Sequence, residues 1–189
     1  MTAESTRIII RPIVPDDAGD IFDFIGAEYA ADEGIKPAAS ITEADGMIKH
    51  MTEEKGFFGV ALKAEKKIIG IAALTEDRKR TLEKVKSLSF ILNRAYSGRG
   101  YMTEAVSLIL RHGFLNLGLE LISSYCYPYN LSSAQVLKKL RFSYEGRLSG
   151  CEKRFDGQIM DHDCYCLRTR QFKDYLLCSE AGWLSLHCD

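Results

Sequence analysis

Apolar positions along the chain change period several times, and each change marks an element. Arg7-Ile-Ile-Ile-Arg-Pro12 is a short apolar run stopped by proline and reads as a first strand. Pro15 and the acidic pair Asp16-Asp17 are first-turn residues, and Ala18, Ile21, Phe22 and Ile25 then recur at helical spacing up to about Tyr29. Residues 30–39, which contain Gly34 and Pro37, read as a loop. Thr42 opens a second helix, with Asp45 placed for a capping contact and Ile41, Ala44, Met47, Ile48 and Met51 as its apolar stripe. Two β-rich runs, 57–63 and 67–75, flank Ala64-Glu65-Lys66 and predict an antiparallel hairpin. The charge-dense stretch 76–83 reads as a solvated turn.

A central strand is predicted over 85–93. The pattern then breaks at Ser97-Gly-Arg-Gly100 and resumes with Met102, Ala105, Val106, Ile109 and Leu110 on one helix face, with Gly118 as the stop. A strand over 121–127 follows, then Pro128-Tyr-Asn130 and a helix begun by Ser132 or Ser133 that carries Val136, Leu137 and Leu140. Strands over 142–147 and 158–169, joined through an Asp156-Gly157 turn, close the pattern. The order βααβββαβαββ is that of a mixed α/β (α+β) domain without internal repeat, low-complexity tract or linker.

The chain of 189 residues has the length of one domain, 1–189. Lys+Arg 25 against Asp+Glu 26 gives a net charge of -1, so no general attraction to nucleic acid or to a membrane surface is expected. No apolar run approaches the ~18 residues of a membrane helix, and the N-terminus lacks the layout of a signal peptide. A cytoplasmic enzyme is the expected class. Six cysteines then read as reduced thiols. In Asp161-His-Asp-Cys-Tyr-Cys166, strand alternation puts His162, Cys164 and Cys166 on one face and Asp161 and Asp163 on the other, so no metal site is expected.

The break at 97–100 carries the most chemistry. Two glycines let the backbone approach a ligand while N–H groups stay free, and the helix that follows adds a partial positive charge at its first turn. That arrangement suits a pyrophosphate. A Walker loop would need Lys and Ser/Thr after the second glycine, where Tyr101 and Met102 stand, and a dinucleotide fingerprint would need glycine at Thr103. The segment Tyr96-Ser-Gly-Arg-Gly-Tyr-Met-Thr-Glu-Ala105 instead resembles the acetyl-coenzyme A loop of GNAT superfamily N-acetyltransferases, closest to the ribosomal-protein-alanine (RimJ/RimL-like) branch. The superfamily's Arg/Gln letter falls on Ala95. A second segment, Asn130 to Gly146, resembles the motif on the other side of the cofactor, matching at Asn130, Ser133, Leu140, Phe142, Glu145 and Gly146 and departing at Arg141, where the family has glycine. Together the motifs span 7–170 and leave 171–189 as an extension. In that extension Tyr175, Leu176, Leu177, Trp183, Leu184 and Leu186 are apolar enough to pack on the domain or on a second subunit. A monomer and a homodimer both fit.

The resemblance implies a mostly antiparallel central sheet flanked by helices, with the fourth and fifth strands (85–93 and 121–127) parallel and splayed. It implies acetyl-CoA as cosubstrate, held by Phe90, Ile91 and Leu92 of the strand, by Ser97, Gly98, Arg99, Gly100, Tyr101, Met102 and Thr103 of the loop, and by Asn130 and Ser133. The strand amides would receive the thioester oxygen, the 26–52 region would overhang the acceptor, and Ser133 would donate a proton to the departing thiolate. Tyr125, Tyr127 and Tyr129 are alternative donors. Glu152, seven residues past Glu145, falls where the branch carries a glutamate that looks like a general base. An ordinary carboxylate near ~4.3 is a weak match for an ammonium near ~8 to ~10, so the role asks for burial or a relaying water. The acceptor is a primary amine: a protein N-terminus such as that of a ribosomal protein, or a small amine such as a polyamine, an aminoglycoside or an amino acid. A non-catalytic acyl-CoA-binding domain is the alternative class.

Overall fold

The computed structural model of the chain describes residues 1–54 and 56–180. The apolar runs form strands and the 3.6-period stretches form helices: β1 (Ala3–Glu4), β2 (Ile8–Pro12), α1 (Ala18–Ile25), α2 (Ile41–Glu53), β3 (Phe57–Leu62), β4 (Lys67–Glu76), β5 (Val85–Leu92), α3 (Tyr101–Arg111), β6 (Leu121–Cys126), α4 (Leu131–Lys139), β7 (Ser143–Lys153), β8 (Ile159–Arg168) and α5 (Thr169–Glu180). The strands make one sheet in the order β1-β2-β3-β4-β5-β6-β8-β7. Neighbours are antiparallel except β5 and β6, the predicted parallel pair. A parallel pair needs a crossover, and α3 supplies it.

Helices cover both faces. On one, Met102, Ala105, Val106, Ile109 and Leu110 of α3 pack with Leu137 of α4 against Ile8, Val60, Ile69, Leu88 and Ile122 of the sheet. On the other, Ile21, Phe24 and Ile25 of α1 and Ala44 and Ile48 of α2 cover Ala61, Ile68, Ile71 and Ile91. Trimming one of these fully buried side chains to alanine costs about 2–5 kcal/mol in such a core. The extension joins the first layer: Phe172 of α5 is fully buried and stacks on Phe114 at 4.7 Å, and Leu176 packs on the same cluster. The side chains of Tyr175 and Leu177, and residues Trp183, Leu184 and Leu186, lie outside the described residues.

Several boundaries differ from expectation. Residues 30–39 are not all loop, because Glu28–Glu33 forms a 3-10 turn that ends at Gly34 with φ +81. Helix α2 is capped earlier than Thr42: the Ser40 hydroxyl accepts the Glu43 N–H at 3.2 Å, and the Glu43 carboxylate answers the Ala39 N–H at 2.9 Å. Helix α4 starts at Leu131 and is capped by Asn130, not begun by a serine. Strand β7 runs past residue 147 to Lys153, with register shifts between Tyr144 and Gly146 and between Leu148 and Glu152. The stretch 76–83 is only partly solvated, since Asp77 is buried among polar groups of β6. Among the described residues, no helix is long and apolar enough to cross a membrane.

Candidate active site

The site begins where the parallel ladder stops. Residues of β5 and β6 pair from Val85 with Leu121 to Leu88 with Ser124 and no further. At that limit the Ser124 hydroxyl donates to the Leu88 carbonyl at 2.9 Å. On the other edge of β5, the Asn93 N–H donates to the Ile69 carbonyl of β4 at 2.8 Å. Backbone groups alternate sides along a strand, so Ile91 also turns its N–H to β4, while Phe90 and Leu92 turn theirs to the gap left by β6. Of the three amides expected at the opening, two face it and the Ile91 amide belongs to the sheet.

Two cavities occupy the gap. One, of about 450 Å³, has Phe90, Ile91, Leu92, Ser97, Gly98, Gly100, Tyr101, Met102, Thr103 and Ser133 on its wall. The other, of about 170 Å³, has Tyr125, Tyr127, Asn130, Ser133, Glu152 and His162. They share Glu33, Phe90 and Ser133, so a molecule in the larger one reaches the smaller one at those residues.

Where the glycine turn meets the larger cavity, backbone conformation sets the wall. Gly98 and Gly100 sit at φ +75 and +80, where a side chain is strained. The N–H groups from Gly98 to Thr103 have no partner among the described residues, and they stand at the positive end of the eleven-residue α3. Arg7 braces this turn from outside: it donates to the Arg99 carbonyl at 3.0 Å and to the Glu104 carboxylate at 2.8 Å, and lies 4.6 Å from the Tyr101 ring centroid. Arg99 is the one expected loop residue off the wall, with its guanidinium 5.9 Å from the Tyr96 ring centroid. The Ala95 N–H donates to the Asn93 side chain at 3.0 Å, so it is not available in place of the missing Arg/Gln side chain.

Asn130 links the two cavities. Its side-chain oxygen accepts the Ser133 N–H at 3.0 Å and the Ser132 hydroxyl at 2.9 Å, which caps α4. Its amide nitrogen donates to Glu33. Because asparagine does the capping, the buried Ser133 hydroxyl is left without a partner among the described residues. At the far end of α4, Arg141 takes the left-handed conformation at φ 65 that glycine has in the resembled motif.

The wall of the smaller cavity is made of side chains. One Glu152 oxygen, Oε2, accepts the Tyr127 hydroxyl at 3.2 Å and lies 2.6 Å from His162 Nε2. The other ring nitrogen, Nδ1, is 2.5 Å from Lys79 Nζ. Burial first, and then the Lys79 ammonium, push the imidazole below its ordinary pKa. Burial and the Glu152 carboxylate push the Tyr127 phenol up. Tyr125 gives its hydroxyl to Asp77 at 2.9 Å, and burial together with that partner pushes it up to about 12. Tyr129 is half exposed.

The 28–33 turn roofs this cavity. Arg94 bonds Asp32 at 2.8 Å and lies 4.6 Å from the Tyr29 ring centroid, while Arg154 donates to the Ala31 carbonyl at 3.2 Å. Gly34 closes the turn, and a Cβ there would stand 2.7 Å from the Tyr127 hydroxyl. Burial pushes the Glu33 carboxyl above its ordinary pKa, opposed by the Asn130 amide.

The Asp-His-Asp-Cys-Tyr-Cys strand alternates as expected: Asp163 pairs with Arg147 at 2.7 Å and Asp161 accepts the Gly150 N–H at 2.8 Å, while Cys164 and Cys166 are buried free thiols. His162 is committed to Glu152 and Lys79. Three site residues go beyond the expected set: Lys79, Asp77 and His162 in its contact with Glu152. In the folded hairpin Glu152 falls opposite Met160, which makes His162 its diagonal neighbour on the same face. A two-residue turn at Asp156-Gly157 would instead set Glu152 opposite Asp161, so the contact has no sign in the sequence, and Lys79 and Asp77 have none either.

Comparison with known proteins agrees with this geometry. The profile described as "Acetyltransferase (GNAT) domain" matches residues 7–143. "Probable N-acetyltransferase YjcK" of Bacillus subtilis (strain 168) is 32% identical over 126 residues, 62% of this chain and 68% of that protein. The acetyltransferase (GNAT family) from Bacillus anthracis superposes with a TM-score of 0.81 at 19% identity, over 90% of this chain and 99% of the other. Ribosomal-protein-S5-alanine acetyltransferase from Vibrio fischeri superposes with a TM-score of 0.77 at 22% identity, over 91% and 98%. With the splayed parallel pair, the glycine turn and a profile match across most of its length, the chain belongs to the GNAT acetyltransferase family and is an N-acetyltransferase.

Proposed function

We propose that the chain carries the acetyl group of acetyl-CoA to the α-amine of a protein N-terminus, with Glu152 as base and Ser133 as the proton donor to the departing thiolate. The observation that carries this reading is the meeting of two cavities at Phe90 and Ser133, one with a backbone wall suited to an anion and one with a carboxylate wall suited to an amine.

The residues present fit the cosubstrate. Unpartnered N–H groups from Gly98 to Thr103, at the start of a long helix, suit a pyrophosphate. Acetyl-CoA supplies an activated acyl group. The amides of Phe90 and Leu92 face the gap, where donors stabilise the charge that develops on an acyl oxygen. Ser133 stands on both cavity walls, with a hydroxyl free to give a proton.

On the acceptor side, an ammonium must lose a proton before it attacks. The smaller cavity presents Glu33 and Glu152 and, among the described residues, no lysine or arginine on its wall. Such a wall draws an ammonium in, and Glu152 takes its proton. An α-amine near ~8 gives that proton up more easily than a lysine near ~10.4. A volume of about 170 Å³ holds an amine and a short side chain and leaves the rest of an acceptor outside. A chain end beginning with alanine or serine suits that shape, and the name of the Vibrio fischeri protein points to the same acceptor class.

The test is thiol release from acetyl-CoA with peptides beginning with alanine or serine, set against spermidine, an aminoglycoside and free amino acids. Faster release with the peptides is the expected result. Preference for a small amine would move the acceptor, and cofactor binding with no release from any amine would remove the catalytic reading.

A further inference from the structure

We infer that Lys79 and His162 are positioning residues for Glu152: the lysine fixes which ring nitrogen of His162 carries the proton, and the resulting N–H holds one oxygen of Glu152 so that the other is left for the amine. This rests on the proposed role of Glu152 as base.

An ammonium has three donors and no acceptor. With Lys79 Nζ 2.5 Å from His162 Nδ1, that nitrogen must offer its lone pair. A neutral imidazole then has its proton on Nε2, which is 2.6 Å from Glu152 Oε2. Oε2 also accepts Tyr127, whereas Oε1 has no partner among the described residues. The carboxylate is therefore oriented by two donors through a single oxygen.

Lys79 is itself held in place. Buried Asp77, 5% exposed, accepts the Lys79 backbone N–H at 2.8 Å and is fixed by Ser123 at 2.5 Å and by Tyr125. The ammonium lies 4.1 Å from the Tyr125 ring centroid, a cation–π contact that steers it toward the histidine. An otherwise exposed lysine is thus given one direction by a buried carboxylate and an aromatic face.

The charges around His162 act in opposite directions. Glu152 from β7 and Asp161 on its own strand favour the imidazolium; burial and Lys79 oppose it and prevail. The rings of Tyr125 and Tyr127 lie 6.3 and 5.4 Å away, and Glu33 stands on the same cavity wall from the roof. Arg80 is paired with Glu145, Arg154 with Asp156, and Cys151 lies 4.0 Å from the ammonium rather than against the ring. A neutral His162 donates to Glu152 without neutralising it. An imidazolium would trap the carboxylate in an ion pair and keep it from taking the amine's proton.

The sign follows from removing the like charge. In Lys79→Met, His162 gains a proton at higher pH, so the acid limb of kcat/KM moves to higher pH. Each unit of movement lowers kcat/KM at the acid end about tenfold. Lys79→Arg keeps the charge and restores the limb. In a His162→Gln background, whose amide can still donate to Glu152, Lys79→Met shifts nothing.

Histidine side-chain ¹⁵N NMR on the folded protein, without acetyl-CoA or acceptor, reads the same device apart from catalysis. Wild type is expected to show the Nε2–H tautomer and to titrate below the ordinary ~6.5, and Lys79→Met to titrate higher. An Nδ1–H tautomer in wild type, or a titration indifferent to Lys79→Met, overturns the inference. If the NMR shift is found but Glu152→Gln leaves the pH–rate profile unchanged, the lysine–histidine coupling stands and the base role of Glu152 falls.

Discussion

The two walls of the splayed gap are built by different means. The anion-binding part proposed for the larger cavity comes from one local turn between Ser97 and Thr103 and rests on backbone N–H groups set by glycine conformations. The smaller is lined by Glu33, Tyr127, Glu152 and His162, with Lys79 behind, five residues from five separate segments that meet only in the folded sheet. A wall of the first kind tolerates changes of side chain and fails on changes of φ. One of the second kind fails on single side chains. Each substitution below asks whether that division holds.

The largest effect is expected at Glu152. Its carboxylate is the proposed base, and replacing it with glutamine removes a proton acceptor while keeping size and the contacts to His162 and Tyr127. Glu152→Gln should lower kcat with an amine acceptor about 10²-fold, the usual share of one acid–base group, and should flatten the acid limb of the pH–rate profile. Affinity for acetyl-CoA, measured by calorimetry, should stay unchanged. A matching loss of affinity would mean that the two walls are not separate.

Gly100 is the converse case. At φ +80 a β-branched residue is strained by about 1–2 kcal/mol or more, and relief of that strain would turn the N–H groups away. Gly100→Val should weaken acetyl-CoA binding roughly five- to thirtyfold, which is that strain expressed as an equilibrium. The acid limb of the pH–rate profile should not move. By contrast, Arg99→Ala, at a side chain off the cavity wall, should leave binding close to wild type.

This division also explains how much could be read from the sequence. The glycine turn and the α3 face were legible because each depends on neighbours within a few positions, whereas the parallel pairing of Val85–Leu88 with Leu121–Ser124 was legible only by resemblance. The 97–103 segment carries its conformation in its own letters. Glu152 was legible only by resemblance, since β7 continues past residue 147 through an irregular register that no local period announces. Lys79 looked solvated because it follows a charged run, yet the buried Asp77 beside it depends on Ser123 and Tyr125 of a strand some 46 and 48 positions later. The helix boundaries missed at Thr42 and at Ser132 or Ser133 turned on which polar side chain wins the cap, and Ser40 and Asn130 won through bonds to Glu43 and Ser133.

Glu33 tests the side-chain wall through stability. Burial raises its carboxyl, so the folded state prefers the protonated form more than the unfolded chain does. The favourable contribution of that raised pKa is therefore present below the ordinary carboxylate range and lost as pH rises through the folded value. Glu33→Gln removes the buried charge. The variant should melt higher than wild type at neutral pH, with the difference vanishing as the melts are taken to acid pH. Its KM for a cationic acceptor should rise several-fold while its affinity for acetyl-CoA holds. A variant less stable at neutral pH would show that the Asn130 bond outweighs the burial of charge.

The smallest effect, at Arg141, bears on the backbone wall's independence from its letters. The resembled motif has glycine here, and the chain reaches the same left-handed conformation, φ 65, with arginine. The conformation is therefore held by the surrounding bonds, among them Arg141 N–H to the Lys138 carbonyl at 3.0 Å and Phe142 N–H to the Leu137 carbonyl at 3.0 Å. Arg141→Gly relieves strain in the folded state of about 1–2 kcal/mol and adds back roughly 0.4–1 kcal/mol of unfolded-chain freedom. The net gain should be about 0.5–1 kcal/mol, a rise in Tm of about 1–4 °C for a chain of this size, with kcat and acetyl-CoA affinity unchanged. A fall in Tm would mean that the guanidinium or its stem contributes more than the strain costs, and the backbone on this side of the gap would then depend on a side chain after all.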